Sequence, residues 1–179
     1  MLAGERVRLR ALEPRDLERW RGWVNDPEIA AFVDRVLPVS PPEHESFFER
    51  WVVGNEHAVW FAIEGSEGSG YLGNAWLWGI DHRHRRAEVR IIIGERSAWG
   101  HGVGSEALQL LSDYAFGKLG LHKLFAYVMA RNPRARGAFL KSGFREEARL
   151  TEEVFWDGRF EDVWRFARLA QGFHRCSDI

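Results

Sequence analysis

Between an apolar run at residues 89–93 and a helical pattern that continues to about residue 119, the chain reads Trp99-Gly100-His101-Gly102-Val103-Gly104-Ser105. Glycines at alternate positions remove side chains where backbone comes close to another group, or where φ is positive. The helix behind them leaves its first N–H groups without intrahelical partners, all aimed at the turn and at the positive end of the dipole. Strand, glycine turn and helix N-terminus together form an anion cradle, for which phosphate is the usual occupant. The chain therefore reads here as a strand and a helix in succession.

A chain of 179 residues fits one domain, expected over residues 1–170 with a C-terminal tail at 171–179, and a domain of this size buries about 70% of its unfolded surface. The composition, 45% hydrophobic and 28% charged, is that of an ordinary soluble globular protein. A formal net charge of −1 gives no global field favouring nucleic acid. The lone cysteine, Cys176, rules out an internal disulfide and fits a reducing, cytoplasmic setting. The opening residues alternate charge with apolar side chains and lack a signal peptide's apolar core, and no window has the length of a membrane span.

Residues 7–12 alternate and read as a half-buried strand. Pro14 and Asp16 start a helix carrying Leu17, Trp20, Trp23 and Val24, and a second helix is expected over residues 42–53 after a proline-rich connection. Strands follow at 58–63, 71–80 and 87–93, then the cradle and its helix, closed by Gly120. A strand at 123–129, a helix beginning at Arg131-Asn132-Pro133, and strands at 144–153 and 162–169 about an Asp157-Gly158 hairpin turn complete the pattern. The tip at residues 81–86 is basic; His82 and His84 without a third ligand nearby make no metal site.

The glycine spacing here is G-x-G-x-G, which fits neither the dinucleotide fingerprint nor the Walker loop. It does resemble the pyrophosphate loop of the GNAT acyltransferases, Gln/Arg-x-x-Gly-x-Gly/Ala, with Gly102 and Gly104 at the two small positions and Trp99 in place of Gln or Arg. The tryptophan variant is similar to that of the branch named for the ribosomal-protein N-terminal acetyltransferases (RimJ/RimL-like), which includes bacterial polyamine acetyltransferases. AEVRIIIG resembles the branch's fourth strand, GLHKLFAYV its fifth, NPRARGAFLKSGF its Asn-to-Gly-Phe block, and EEVFWDGRFEDVWRFARL its closing hairpin. The resemblance covers about 160 residues in register. It implies an α+β fold: a mixed, mostly antiparallel central sheet, splayed between the fourth and fifth strands and flanked by helices.

The implied activity is acetyl transfer from acetyl-CoA to a primary amine by direct attack in a ternary complex, with no metal. The acceptor is a peptide N-terminus or a small-molecule amine, polyamines included; a homodimer is also implied, with no nucleic acid or membrane partner. The backbone of Gly100, His101, Gly102, Val103, Gly104 and Ser105 would hold the pyrophosphate beside Trp99. Ile91, Ile92 and Ile93 would pair with the pantetheine arm through their backbone, and Asn132, Arg134, Ala135 and Phe139 would complete the cofactor site. Asn132 reads equally as a helix N-cap. Glu88 is the candidate base, and reads alternatively as a strand carboxylate paired with Arg90 or Arg86. Phe139 departs from the family: many relatives have there a tyrosine assigned to protonate the departing thiolate, for which water or Ser142 would have to substitute. That departure motivates the competing reading, a catalytically silent acetyl-CoA-binding protein. For the acceptor, Glu28, Asp34, Glu43, Glu45 and Glu49 suggest a cation, whereas Trp20, Trp23, Phe32 and Trp51 suggest a groove.

Overall fold

Alternating burial sets the strands of the computed structural model, which describes residues 1–32, 38–66, 68 and 70–170. In β2 (Val7–Ala11) Val7 and Leu9 are buried while Arg8 and Arg10, alternating with them, are half-buried. A two-residue strand, β1 (Leu2–Ala3), pairs on its outer side. The strands β3 (Ala58–Gly65), β4 (Tyr71–Asp81) and β5 (Arg86–Ile93) continue the sheet as antiparallel neighbours. β6 (Lys123–Met129) joins β5 in parallel, and the hairpin of β7 (Arg145–Trp156) and β8 (Arg159–Leu169) closes the sheet in the order β1-β2-β3-β4-β5-β6-β8-β7. The mixed, mostly antiparallel sheet of the GNAT fold is therefore present. The splayed fourth and fifth strands of the sequence are β5 and β6 here, because β1 adds one to the count.

Helices cover both faces. On one side lie α1 (Leu17–Val24), the single-turn α2 (Pro27–Ala30) and α3 (Pro41–Trp51), whose Trp20, Trp23, Val24 and Phe48 pack on Trp60, Ala62 and Ile92. On the other lie α4 (Val103–Gly117) and α5 (Pro133–Lys141), where Leu108, Leu111 and Phe139 meet Val89, Leu124 and Phe166. Three helix starts are written in the sequence as a capping side chain before a proline: Asp26, Ser40 and Asn132 accept from the N–H groups of Glu28, Glu43 and Ala135. The Ser40 cap moves the start of α3 to Pro41, and the helix stops at Trp51 rather than Val53.

The closing hairpin is longer than the sequence pattern suggests. Asp157 and Gly158 both take positive φ, 48° and 78°, the conformation of a tight two-residue turn. Pairing therefore runs to Trp156 and Arg159 beside the turn. At the 81–86 tip, the Asp81 carboxylate accepts from the N–H of His84 at 2.9 Å and contacts its ring at 2.8 Å. No cluster able to hold a metal occurs among the described residues. No helix among them is long and apolar enough to cross a membrane.

Candidate active site

The cradle forms as its glycines require. Gly100 and Gly102 sit at φ +80° and +84°, a region that costs any side-chain-bearing residue strain. The first bond of α4 runs from the N–H of Glu106 to the Gly102 carbonyl, so the N–H groups of Val103, Gly104 and Ser105 have no intrahelical acceptor. Gly104 differs from the other two. Its φ is not positive, and a Cβ there would stand 3.8 Å from the Ala138 Cβ and the Ile93 Cγ1, so its missing side chain leaves room in the cleft rather than relieving the backbone.

A cavity of ≈ 390 Å³ lies against this helix end, walled by Ile91, Ile92 and Ile93 on one side and Asn132, Arg134 and Ala135 on the other. Gly100, Gly102, Val103, Gly104 and Ser105 line it, as does Trp99, whereas His101 is exposed and lies outside the lining. The Trp99 ring N–H donates to the Ile93 carbonyl at 2.7 Å, and Arg134 places its guanidinium carbon 4.0 Å from that ring's centroid. Two cationic residues, Arg134 and Lys141, line the cavity together with the outward-facing amides, a donor set that suits a pyrophosphate. Asn132 is the helix cap, its Oδ1 accepting from the Ala135 N–H at 3.0 Å, and the residue also lines the cavity.

β5 departs from β6 after three paired positions, Arg86 with Lys123, Ala87 with Leu124 and Glu88 with Phe125. Beyond Glu88 the strand pairs with β4 alone, leaving a row of backbone groups on its other side open to an extended ligand. A second cavity of ≈ 460 Å³ fills this opening. It shares Phe32, Ile91, Ile92, Asn132 and Ala135 with the first, so the two form one groove that bends at the splay.

Strand register explains what lines the second cavity. Trp78 stands opposite Glu88, and Trp60, Trp76 and Arg90 stand abreast, all on the face covered by α1 and α3. Trp60 and Trp76 stack at 4.3 Å and 9°. Glu88 is held by the Arg90 fork, Nε to Oε1 at 2.7 Å and Nη2 to Oε2 at 3.0 Å. Glu88 thus lines the second cavity and is also the paired strand carboxylate, with Arg90 rather than Arg86 as partner; Arg86 contacts Asp81. Each Glu88 oxygen keeps a further lone pair.

Phe139 lines this second cavity rather than the first, its ring 5.7 Å from Phe166 and 5.1 Å from Phe144. Ser142 is not available as its substitute: the buried hydroxyl donates to the Ala138 and Phe139 carbonyls and lines neither cavity. Among the described lining residues of this cavity, Tyr127 carries the only hydroxyl.

The acidic residues of the early helices are not brought to the groove. Glu28 pairs with Arg96 at 2.8 Å, Glu45 and Glu49 are exposed, none of these nor Glu43 lines a cavity, and Asp34 lies outside the described residues. Of the four aromatic candidates, Trp20 and Phe32 line the second cavity. Trp23 instead packs on Tyr71 and so close to Gly94 that a Cβ there would fall 1.9 Å from its ring, and Trp51 rests on Trp78. Sequence reasoning missed Glu153, Tyr127, Trp60 and Trp76, which do line it. Period-two alternation alone would have put Trp76 and Trp78 on one face, but not opposite Glu88 and Arg90 without the register.

Residues 6–145 match the family described as Acetyltransferase (GNAT) domain. The chain is 32% identical over 170 residues to spermidine N(1)-acetyltransferase of Vibrio cholerae, covering 95% of this chain and 96% of that protein. It is 31% identical to spermidine N(1)-acetyltransferase of Escherichia coli K12, covering 92% and 87%. The crystal structure of the Vibrio cholerae spermidine N-acetyltransferase in complex with CoA and spermine superposes with a TM-score of 0.85 at 31% identity, over 92% of this chain and 95% of that one. With the cradle, the splay and these relatives in agreement, the chain belongs to the GNAT family of acetyltransferases.

Proposed function

We propose that the acceptor of this acetyltransferase is a small aliphatic amine of the polyamine class, within the RimJ/RimL-like branch and in the cytoplasm. The observation that carries the reading is the single groove bending at the β5–β6 splay, in a chain that superposes at a TM-score of 0.85 on a relative in complex with CoA and spermine.

Acetyl-CoA supplies an acetyl thioester, whose carbonyl carbon takes the amine nitrogen while the carbon–sulfur bond breaks. The chain's residues divide the remaining work. The amides of Val103, Gly104 and Ser105, with Arg134, receive the pyrophosphate. The unpaired edge of β5 at Ile91, Ile92 and Ile93 receives the pantetheine arm and offers an N–H to the carbonyl oxygen. An amine with a pKa of ~10.4 is only about 0.1% neutral near pH 7.4, so a proton must be removed before attack. Glu88, directly or through a water, takes that proton at a carboxylate oxygen. A thiol titrates near about 8.5, so the thiolate leaves tolerably without a side-chain acid, and water protonates it where Phe139 has no hydroxyl.

The acceptor class is tested by kcat/KM for spermidine against peptides with free N-termini. A ratio above about 100 supports the reading, on the scale at which a site built for one amine rejects another; a ratio favouring peptides contradicts it.

A further inference from the structure

Among the described residues lining the acceptor cavity, the charged side chains are Glu88, Arg90 and Glu153. Together they leave one formal negative charge. The rest of the chamber is largely apolar, with Trp20, Phe47, Trp60 and Trp76 on its inner wall. A cation brought here leaves water for aromatic faces and very few counter-charges. Arg90 is the unusual member. It is fixed by its fork on Glu88, lies 5.7 Å from the Trp78 centroid, and stands abreast of Trp76 in the β4–β5 register.

From this geometry we infer that Arg90 is a specificity-determining residue that limits how many positive charges the acceptor carries. The inference rests on the polyamine-class reading. Once the reacting ammonium has passed its proton through Glu88 to solvent, a diamine keeps one remote ammonium, which the single net negative charge balances. A triamine keeps two and a tetramine three. The excess then stands beside the half-exposed Arg90 at the mouth of a chamber with an aromatic inner wall, and like charges within the Debye length of about 8 Å repel. The methylene chain of a diamine lies against the tryptophan rings at no such cost, and its ammonium is drawn to Glu153 and the ring faces.

The test is the KM series for a linear diamine, triamine and tetramine with propyl spacing at saturating acetyl-CoA. Dissociation constants of the same amines for the CoA-loaded protein, read from tryptophan fluorescence, accompany it. For the unaltered protein, KM rises about tenfold from diamine to tetramine, the scale of a charge placed against a fixed like charge in an interface. Arg90→Gln reverses the order, with the tetramine binding tightest. Arg90→Lys, which keeps the charge without the fork, preserves the original order. Glu153→Gln shifts the series the other way and steepens the preference for the least charged acceptor, so the inference stays testable should Arg90→Gln fold poorly. The ratio along the series is the readout, which removes any common effect of a substitution on turnover. An order unchanged by Arg90→Gln, an order lost in Arg90→Lys, or no binding of any amine overturns the inference. Absence of turnover with the ranking of dissociation constants intact overturns the polyamine acetylation reading instead and leaves the charge limit standing.

Discussion

Arg134 holds its guanidinium carbon 4.0 Å from the centroid of the Trp99 ring, and that ring donates to the carbonyl of Ile93 at 2.7 Å. Two side chains thus join the start of α5, the glycine loop and the end of β5 at the mouth of the cofactor cleft. A cation–π contact and one hydrogen bond together are worth about 1.5 kcal/mol. Trp99→Ala should therefore raise KM for acetyl-CoA about tenfold while leaving acceptor KM within about twofold, measured in steady-state kinetics with each substrate varied.

The cradle glycines should separate by cause. Gly102 sits at φ +84°, so Gly102→Ala should cost about 1–2 kcal/mol of stability and lower Tm by several degrees. Gly104 has ordinary room around it, with 3.8 Å to the Ala138 Cβ and the Ile93 Cγ1. Gly104→Ala should keep Tm within about 2 °C yet weaken acetyl-CoA binding, because the added methyl enters the cleft. Thermal denaturation and calorimetric titration of the two variants check this together.

In the proposed reaction, proton transfer falls to Glu88, with no hydroxyl at Phe139 to share it. Glu88→Gln should lower kcat by about 10² or more. Phe139→Tyr should raise kcat severalfold, since the ring lines the acceptor cavity and can present a hydroxyl there. Unaltered kcat in Glu88→Gln removes it as the base.

Much of this was legible before any coordinates. The glycine loop, the Asn132 cap and the Asp157-Gly158 turn are local, because each depends on backbone conformations that few residues accept. The acceptor chamber was not. Its floor joins Trp60, Trp76 and Arg90, separated by up to thirty residues in sequence, through a register that a bulge between Trp78 and Asp81 shifts. Glu153 reaches it from the segment of β7 where the register with β8 shifts between Leu150 and Val154. The acidic stretch of the early helices looked like an acceptor site by composition, whereas its helices spend their inner faces on the aromatic core.

The first helical turn is anchored by Arg10, whose fork holds Asp16 at 2.7 Å on both oxygens. Burial would raise the Asp16 carboxyl, but the hydrogen bonds from Arg10 and from the Glu13 N–H hold it below the ordinary carboxylate value. A lowered folded pKa gives stability that is present above the unfolded value of about 3.9 and is lost as pH falls through the folded one. Asp16→Asn should cost about 2 kcal/mol near neutrality by removing the charged fork, with Glu64 at 3.5 Å left as the counter-charge of Arg10. The Tm difference from the unaltered protein should be constant above about pH 5 and shrink below about pH 4, in scanning calorimetry across pH 3–8.

The central claim is that this groove carries acetyl transfer, and the most direct measurement is release of free CoA from acetyl-CoA by the purified protein. The amines supplied are polyamines, peptides with free N-termini and aminoglycosides, with acetyl-CoA binding measured alongside. Amine-dependent CoA release, strongest with a short polyamine and abolished by loss of the cradle, is the result this account predicts. Measurable binding of acetyl-CoA without acceleration by any amine would contradict it and leave a silent acetyl-CoA-binding protein.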